Sequence, residues 1–432
     1  MADGAVDILG EKQALARKRA FETPLADLNP AWASAFRDDA HWAYFERLRA
    51  EDPVHWTPES NYGAFWSITK YNDIMEIDTN HQVFSSALGI GLPPKSSVLP
   101  PEAQIEVARA AAPSFIGMDP PDHDVQRKTV SPAVGPARLI EMAPQIRERA
   151  GEILDSLPIG EPFDWVDLVS KELTTMTLAT LFGFPFEERR KLTFWSDAMT
   201  TGPGHGPVAT WQERREALAD CKDYFVRLWN ERVNAEPAGD LISMLAHGAE
   251  TRNLTPDEFF SNVTLLIIGG NDTTRNTISG SIFALNRNPD QYAKLRANPD
   301  LISSMVSETI RWQTPLAHMA RTATQDFEFR GKTIKAGDRV VMWYVSGNRD
   351  ESVIENPDSY IIDRARPRQH MSFGFGIHRC VGNRLAELQL TIIWEEIMKR
   401  FPDIQLLEEP KRSYSIFIKG YEDMRVLIPR RI

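Results

Sequence analysis

The residue best placed for chemistry is Cys380, in the run Phe373-Gly374-Phe375-Gly376-Ile377-His378-Arg379-Cys380-Val381-Gly382. Two glycines permit a tight turn with unusual backbone angles. Helical text begins immediately after, so N–H groups at a helix N-terminus face the sulfur and favour thiolate over thiol. A lone thiolate held this way suits an axial ligand to haem iron, where it pushes electron density toward O–O cleavage. A second group is Gly269-Gly270-Asn271-Asp272-Thr273-Thr274. Two glycines inside a helix cost on the order of 1 kcal/mol each, and close approach of a ligand to the backbone would explain them. Thr273 is spaced to bond back to the Gly269 carbonyl and distort the helix, opening a groove for dioxygen. Asp272 and Thr273 then offer an acid and a hydroxyl for proton delivery. Two further pairs lie on single helix faces: Glu308 with Arg311 at i, i+3, and His123 with Arg127 at i, i+4.

These groups need a frame. The clearest helix starts at Thr255-Pro256-Asp257-Glu258, where Thr255 and Glu258 form a capping box and Pro256 fits the first helical position. It runs without a strong stop to about Leu285 and carries the Asp272-Thr273 pair in its middle. Further helical patterns cover 137–157, 213–233 and 384–400. Strand composition appears at 64–69 and at 319–345, with a Gly337-Asp338 turn. The Gly- and Pro-rich stretches at 89–101 and 200–208 read as loops. Segments 89–113 and 200–212 are candidates for a substrate gate. Residues 1–40 read as an N-terminal extension and 41–432 as one domain, mainly α with small β-sheets (α+β).

The ten-residue run around Cys380 resembles the haem-binding loop of the cytochrome P450 superfamily, Phe-Gly-x-Gly-x-His-x-Cys-x-Gly, at every fixed position. The helix run fits the family pattern Ala/Gly-Gly-x-Asp/Glu-Thr-Thr/Ser, and the resemblance extends from about 41 to 430. It implies the cytochrome P450 fold, with haem b between the long central helix and the Cys loop and Cys380 as the iron ligand. It implies that His123 and Arg127 contact one haem propionate, with Arg321 and His378 matching the other propionate positions. Glu308 and Arg311 become a buried structural pair, whose third partner is Arg364, Arg366 or Arg368. Asp272 and Thr273 become the catalytic pair.

Two stretches, Gly269 to Asn276 and His378 to Glu387, look like the bacterial soluble alkane terminal hydroxylases. That likeness implies hydroxylation of medium-chain n-alkanes or fatty acids at the terminal methyl. By position, Leu265, Ile268, Gly269, Leu316, Met319, Ile416 and Phe417 should face the substrate. The same chemistry on a terpene, sterol or branched lipid is the alternative. A haem-thiolate sensor would have no use for Asp272-Thr273, and peroxide-driven relatives usually replace that pair. The chain has no cysteine set for an iron–sulfur cluster and no Gly-x-Gly-x-x-Gly after a strand. Electrons from NAD(P)H should therefore arrive through a separate ferredoxin and its reductase. Arg379 and Arg384 would either dock that partner or serve internal contacts.

Composition agrees and excludes other classes. The 432 residues are 42% hydrophobic and 25% charged, the profile of an ordinary globular protein. A net charge of −11 argues against a dedicated nucleic-acid binder. No apolar run approaches the 18–20 residues or so of a membrane helix. Met1–Ala20 has no signal-peptide core, and with only Cys221 and Cys380 present free thiols are expected. The reading is a cytoplasmic enzyme.

Overall fold

The computed structural model describes residues 8–95, 114–200, 204 and 206–432. The gate candidates therefore fall in part outside the described residues, at 96–113, 201–203 and 205. Eleven helices carry the argument: α1 (Ile8–Glu22), α2 (Trp42–Glu51), α3 (Tyr71–Thr79), α4 (Asp122–Val130), α5 (Pro136–Asp155), α6 (Glu172–Phe182), α7 (Arg190–Thr200), α8 (Trp211–Val233), α9 (Pro256–Arg287), α10 (Ile302–Gln313) and α11 (Asn383–Arg400). Among the described residues no helix is long and apolar enough to cross a membrane.

Helix α9 is the axis. The capping box is present: the Thr255 N–H donates to Glu258 at 2.8 Å, and the Glu258 N–H returns to Thr255 Oγ1 at 3.3 Å. Its 32 residues span about 48 Å. From Asn271 to Leu285 it is almost entirely buried, with α6, α7, α10 and α11 packed around it. Gly270 marks the crossing with α6, since a Cβ there would sit 2.6 Å from Leu178 Cδ2. Helix α6 stops at Gly183, whose φ of +62° is the left-handed conformation of a helix C-terminus. Helix α5 buries Leu139, Met142, Ile146, Ile153 and Leu154 on one stripe against α11.

A five-stranded sheet forms the other wall. Its strands are β1 (Val54–Thr57), β2 (Phe65–Ile68), β3 (Phe84–Ser85), β4 (Met319–Ala323) and β5 (Arg339–Met342). The order is β1-β2-β5-β4-β3, with β2 and β5 parallel and the other pairs antiparallel. Alternation along β4 sets Met319 and Arg321 on one face. Ala320 points to the other, where Ala317, Val341, Trp343 and Ile416 pack together. At the N-terminus, α1 rests on α2, with Ala20 fully buried and Arg17 paired with Glu46.

Candidate active site

The Cys380 loop is built on backbone geometry. Gly374 and Gly376 both have φ +64°, a conformation that only glycine adopts without strain. The Cys380 N–H donates to the Phe373 carbonyl at 2.8 Å. Helix α11 then starts at Asn383, and the N–H groups of Gly382 and Asn383 point at the sulfur. Cys380 is exposed and lines a cavity of about 210 Å³ that runs to α9. Burial pushes its thiol up, against the opposing pull of the Gly382 N–H, Arg127, Arg379 and the Asn383 N–H. The helix N-terminus is thus where the sequence puts it, and its N–H groups oppose the effect of burial on the thiol. A haem iron bound at this position would hold Cys380 as the thiolate.

Opposite Cys380, the cavity is lined by Leu265, Leu266, Gly269, Gly270, Thr273, Thr274 and Thr277. Turned by about 100° per residue, these form one face of α9. Thr273 Oγ1 donates to the Gly269 carbonyl at 2.9 Å, yet α9 continues unbroken to Arg287. A Cβ on Gly269 would meet nothing within 4 Å, so this glycine leaves open space in the cavity, whereas Gly270 serves helix packing.

The position of Asp272 corrects the expectation of an acid beside the groove. It is fully buried and absent from the cavity lining. Its carboxylate accepts from Ser196 on α7 at 2.9 Å and lies 2.6 Å from Arg275, which also pairs with Asp197. Burial pushes the Asp272 carboxyl up, and Arg275 opposes the shift. The substrate-facing set divides in the same way. Leu265, Gly269, Leu316 and Met319 line the cavity, and Ile268, Ile416 and Phe417 do not. Ile268 lies on the back of the α9 face. Ile416 packs behind β4, and Phe417 rests on the His318 ring at 5.3 Å while its carbonyl accepts from Ala317.

Two guanidinium groups and two imidazoles gather at the cavity edge. Arg127, Arg321 and His378 line it, and the His123 ring packs edge-on to His378 at 4.4 Å. Among the described residues, His123 Nε2 and both ring nitrogens of His378 are buried without a partner. Burial, then Arg321, His123, Arg127 and His81 in turn, push His378 down to about 2. Buried donors without acceptors, amid excess positive charge, fit the two carboxylates of a haem. The thiol donor of Cys380 fits its iron. His81 had no motif to announce it.

The buried pair is a triad. Glu308 accepts from Arg311 at 2.7 and 2.8 Å and from Arg364 Nε at 2.9 Å. Arg364 is thus the third partner, while Arg368 is exposed and pairs with Glu387. Arg311 and Arg364 also donate to the carbonyls of Asn348, Asn356, Pro357 and Ser359, fixing the irregular chain that leads to the Cys loop. Sequence reasoning missed Asp78 on α3, a buried carboxylate that binds Arg321, Tyr344 and the Phe375 N–H.

The cytochrome P450 family model matches residues 206–415. The chain is 36% identical over 392 residues to linalool 8-monooxygenase of Pseudomonas putida, covering 89% of this chain and 95% of the relative. It is 32% identical to a methyl-branched lipid omega-hydroxylase of Mycobacterium bovis, over 94% and 95% of the two chains. The solved structure of cytochrome P450-153 from Novosphingobium aromaticivorans superposes with a TM-score of 0.85 at 44% identity, over 93% of this chain and 99% of that one. With a cysteine loop under a long helix, a propionate-ready cluster and these relatives, the chain belongs to the cytochrome P450 family of haem-thiolate monooxygenases.

Proposed function

We propose that this monooxygenase hydroxylates the terminal methyl of medium-chain n-alkanes or fatty acids. The observation that carries the reading is the lining of the cavity. Phe115, Ile116, Leu265, Leu316 and Met319 are apolar, and among the described residues no carboxylate or lysine faces it. Such a pocket suits a chain without a polar anchor near the reacting end. The 36% identity to linalool 8-monooxygenase supports a second reading, oxidation of a terpene alcohol.

The bound haem supplies activation of dioxygen, with electrons that reach it from NAD(P)H through separate redox proteins. Cys380 would ligate the iron, and Arg127, Arg321, His123 and His378 would hold the propionates. The chain's own contribution is positioning, exclusion of water and movement of protons. Thr273 presents its hydroxyl to the cavity while it is tied to Gly269. Asp272 lies behind it, tied to Ser196 and Arg275, and would take part in proton movement only on release from those partners. A ferredoxin would dock beside Arg384. That side chain is exposed, makes no ion pair among the described residues and lines a surface groove with Ile140, Arg368 and Leu388.

The test is product analysis. Holoenzyme, a surrogate ferredoxin and reductase, and NADH are combined with n-octane, octanoic acid or linalool. Gas chromatography then resolves the products. Mainly 1-octanol or 8-hydroxyoctanoic acid supports terminal hydroxylation. Internal alcohols, or turnover of linalool alone, overturn it.

A further inference from the structure

Asp78 closes the last turn of α3 and is 2% exposed. Its two oxygens take three donors from three separate segments. Oδ1 accepts from Arg321 Nη2 at 2.8 Å. Oδ2 accepts the Tyr344 hydroxyl at 3.0 Å and the Phe375 N–H at 2.8 Å. Phe375 sits between the two left-handed glycines of the Cys loop. A Cβ on Gly374 would lie 3.2 Å from Asp78 Oδ2, and one on Gly376 would lie 2.7 Å from the Asp78 carbonyl oxygen. The turn that presents Cys380 is therefore moulded onto both the side chain and the main chain of Asp78.

The charge of Asp78 adds something that shape alone does not. A neutral asparagine could still accept the Phe375 N–H. Only a carboxylate cancels Arg321, whose guanidinium otherwise adds to the positive charge of Arg127 at the cavity edge. Burying such a pair is tolerable only with its remaining lone pairs satisfied, and Tyr344 and Phe375 satisfy them. A fixed negative charge in a low-dielectric region disfavours the arrival of an electron nearby.

We propose that Asp78 is a positioning residue that locks the Cys380 loop and Arg321 together and holds down the reduction potential of the bound haem through its buried negative charge. The inference rests on the family assignment and is independent of the substrate reading, because its test uses no substrate.

The experiment is a spectroelectrochemical titration of the ferric–ferrous couple in substrate-free holoenzyme, with the reduced carbon monoxide spectrum as a check on thiolate ligation. Asp78→Asn removes the charge and keeps the shape, so its midpoint should shift to more positive values. Tyr344→Phe keeps the charge and removes one of its donors, so its midpoint should shift to more negative values. A loop that is merely loosened would move both variants the same way. Shifts of the same sign, or no shift in either variant, overturn the proposal. If Asp78→Asn does not retain haem, Tyr344→Phe decides alone: a negative shift supports the proposal, and no shift or a positive one overturns it.

Discussion

Mild acid should unfold this protein well before its carboxylates titrate. Three of the buried histidines away from the haem edge resist protonation: His41 and His318 are fully enclosed, and His370 is 8% exposed. Burial is the main cause in each case and holds them down to about 3, 4 and 3 respectively. Arg311, Arg379 and Arg368 add to the effect at His370, while Asp39 opposes it at His41. An unfolded histidine titrates near 6.5. Below that pH the unfolded chain takes up protons that the native state refuses, so stability falls as pH falls, until the folded values are passed. Between pH 7 and pH 5 each histidine costs about 2 kcal/mol, and the three together about 6 kcal/mol. That is comparable with the whole stability of many domains. Urea unfolding of the holoenzyme at several pH values, followed by circular dichroism, measures the loss. His41→Phe keeps a ring stacked on Phe36, now at 4.2 Å, and should recover about a third of the loss. A total loss below about 2 kcal/mol, or an unchanged pH slope in His41→Phe, would refute the reasoning.

Other outcomes follow from particular contacts. Glu308→Gln leaves Arg311 and Arg364 without their shared carboxylate and should cost about 3–5 kcal/mol, read as a fall in Tm and in haem retention. Gly270→Ala drives a methyl into Leu178 and should destabilise by about 1–3 kcal/mol. Gly269→Ala enters open space, so it should keep Tm and instead change the product distribution in the chromatographic assay. Arg384→Glu should slow reduction by ferredoxin in stopped-flow measurements while leaving substrate binding spectra unchanged; equal rates would remove the docking surface.

Much of the architecture was legible because local chemistry and global fold agree. Thr255, Pro256 and Glu258 mark the start of α9 in any context, and the Gly374–Gly376 spacing requires the turn it forms. The failures have a common cause, which is direction. Asp272 and Thr273 are neighbours in sequence, but one residue of helical rotation sends the first toward Ser196, which lies 76 residues away. Ile268 differs from Gly269 in the same way. The choice among Arg364, Arg366 and Arg368 depends on the path of an irregular segment, for which no periodicity exists. Asp78 has no motif because its three partners come from three distant segments.

The stretch from Asn348 to Phe375 contains no helix or strand, and by appearance it invites insertions, tags or shuffled crossovers. Its carbonyls are nonetheless anchored on Arg311 and Arg364. For protein engineering this makes it a poor splice site. A chimera that takes this segment from one parent and helix α10 from another must match the two as a unit. A library that randomises it samples mostly chains that misplace the cysteine. Surface loops without such arginine anchors are the better places to diversify.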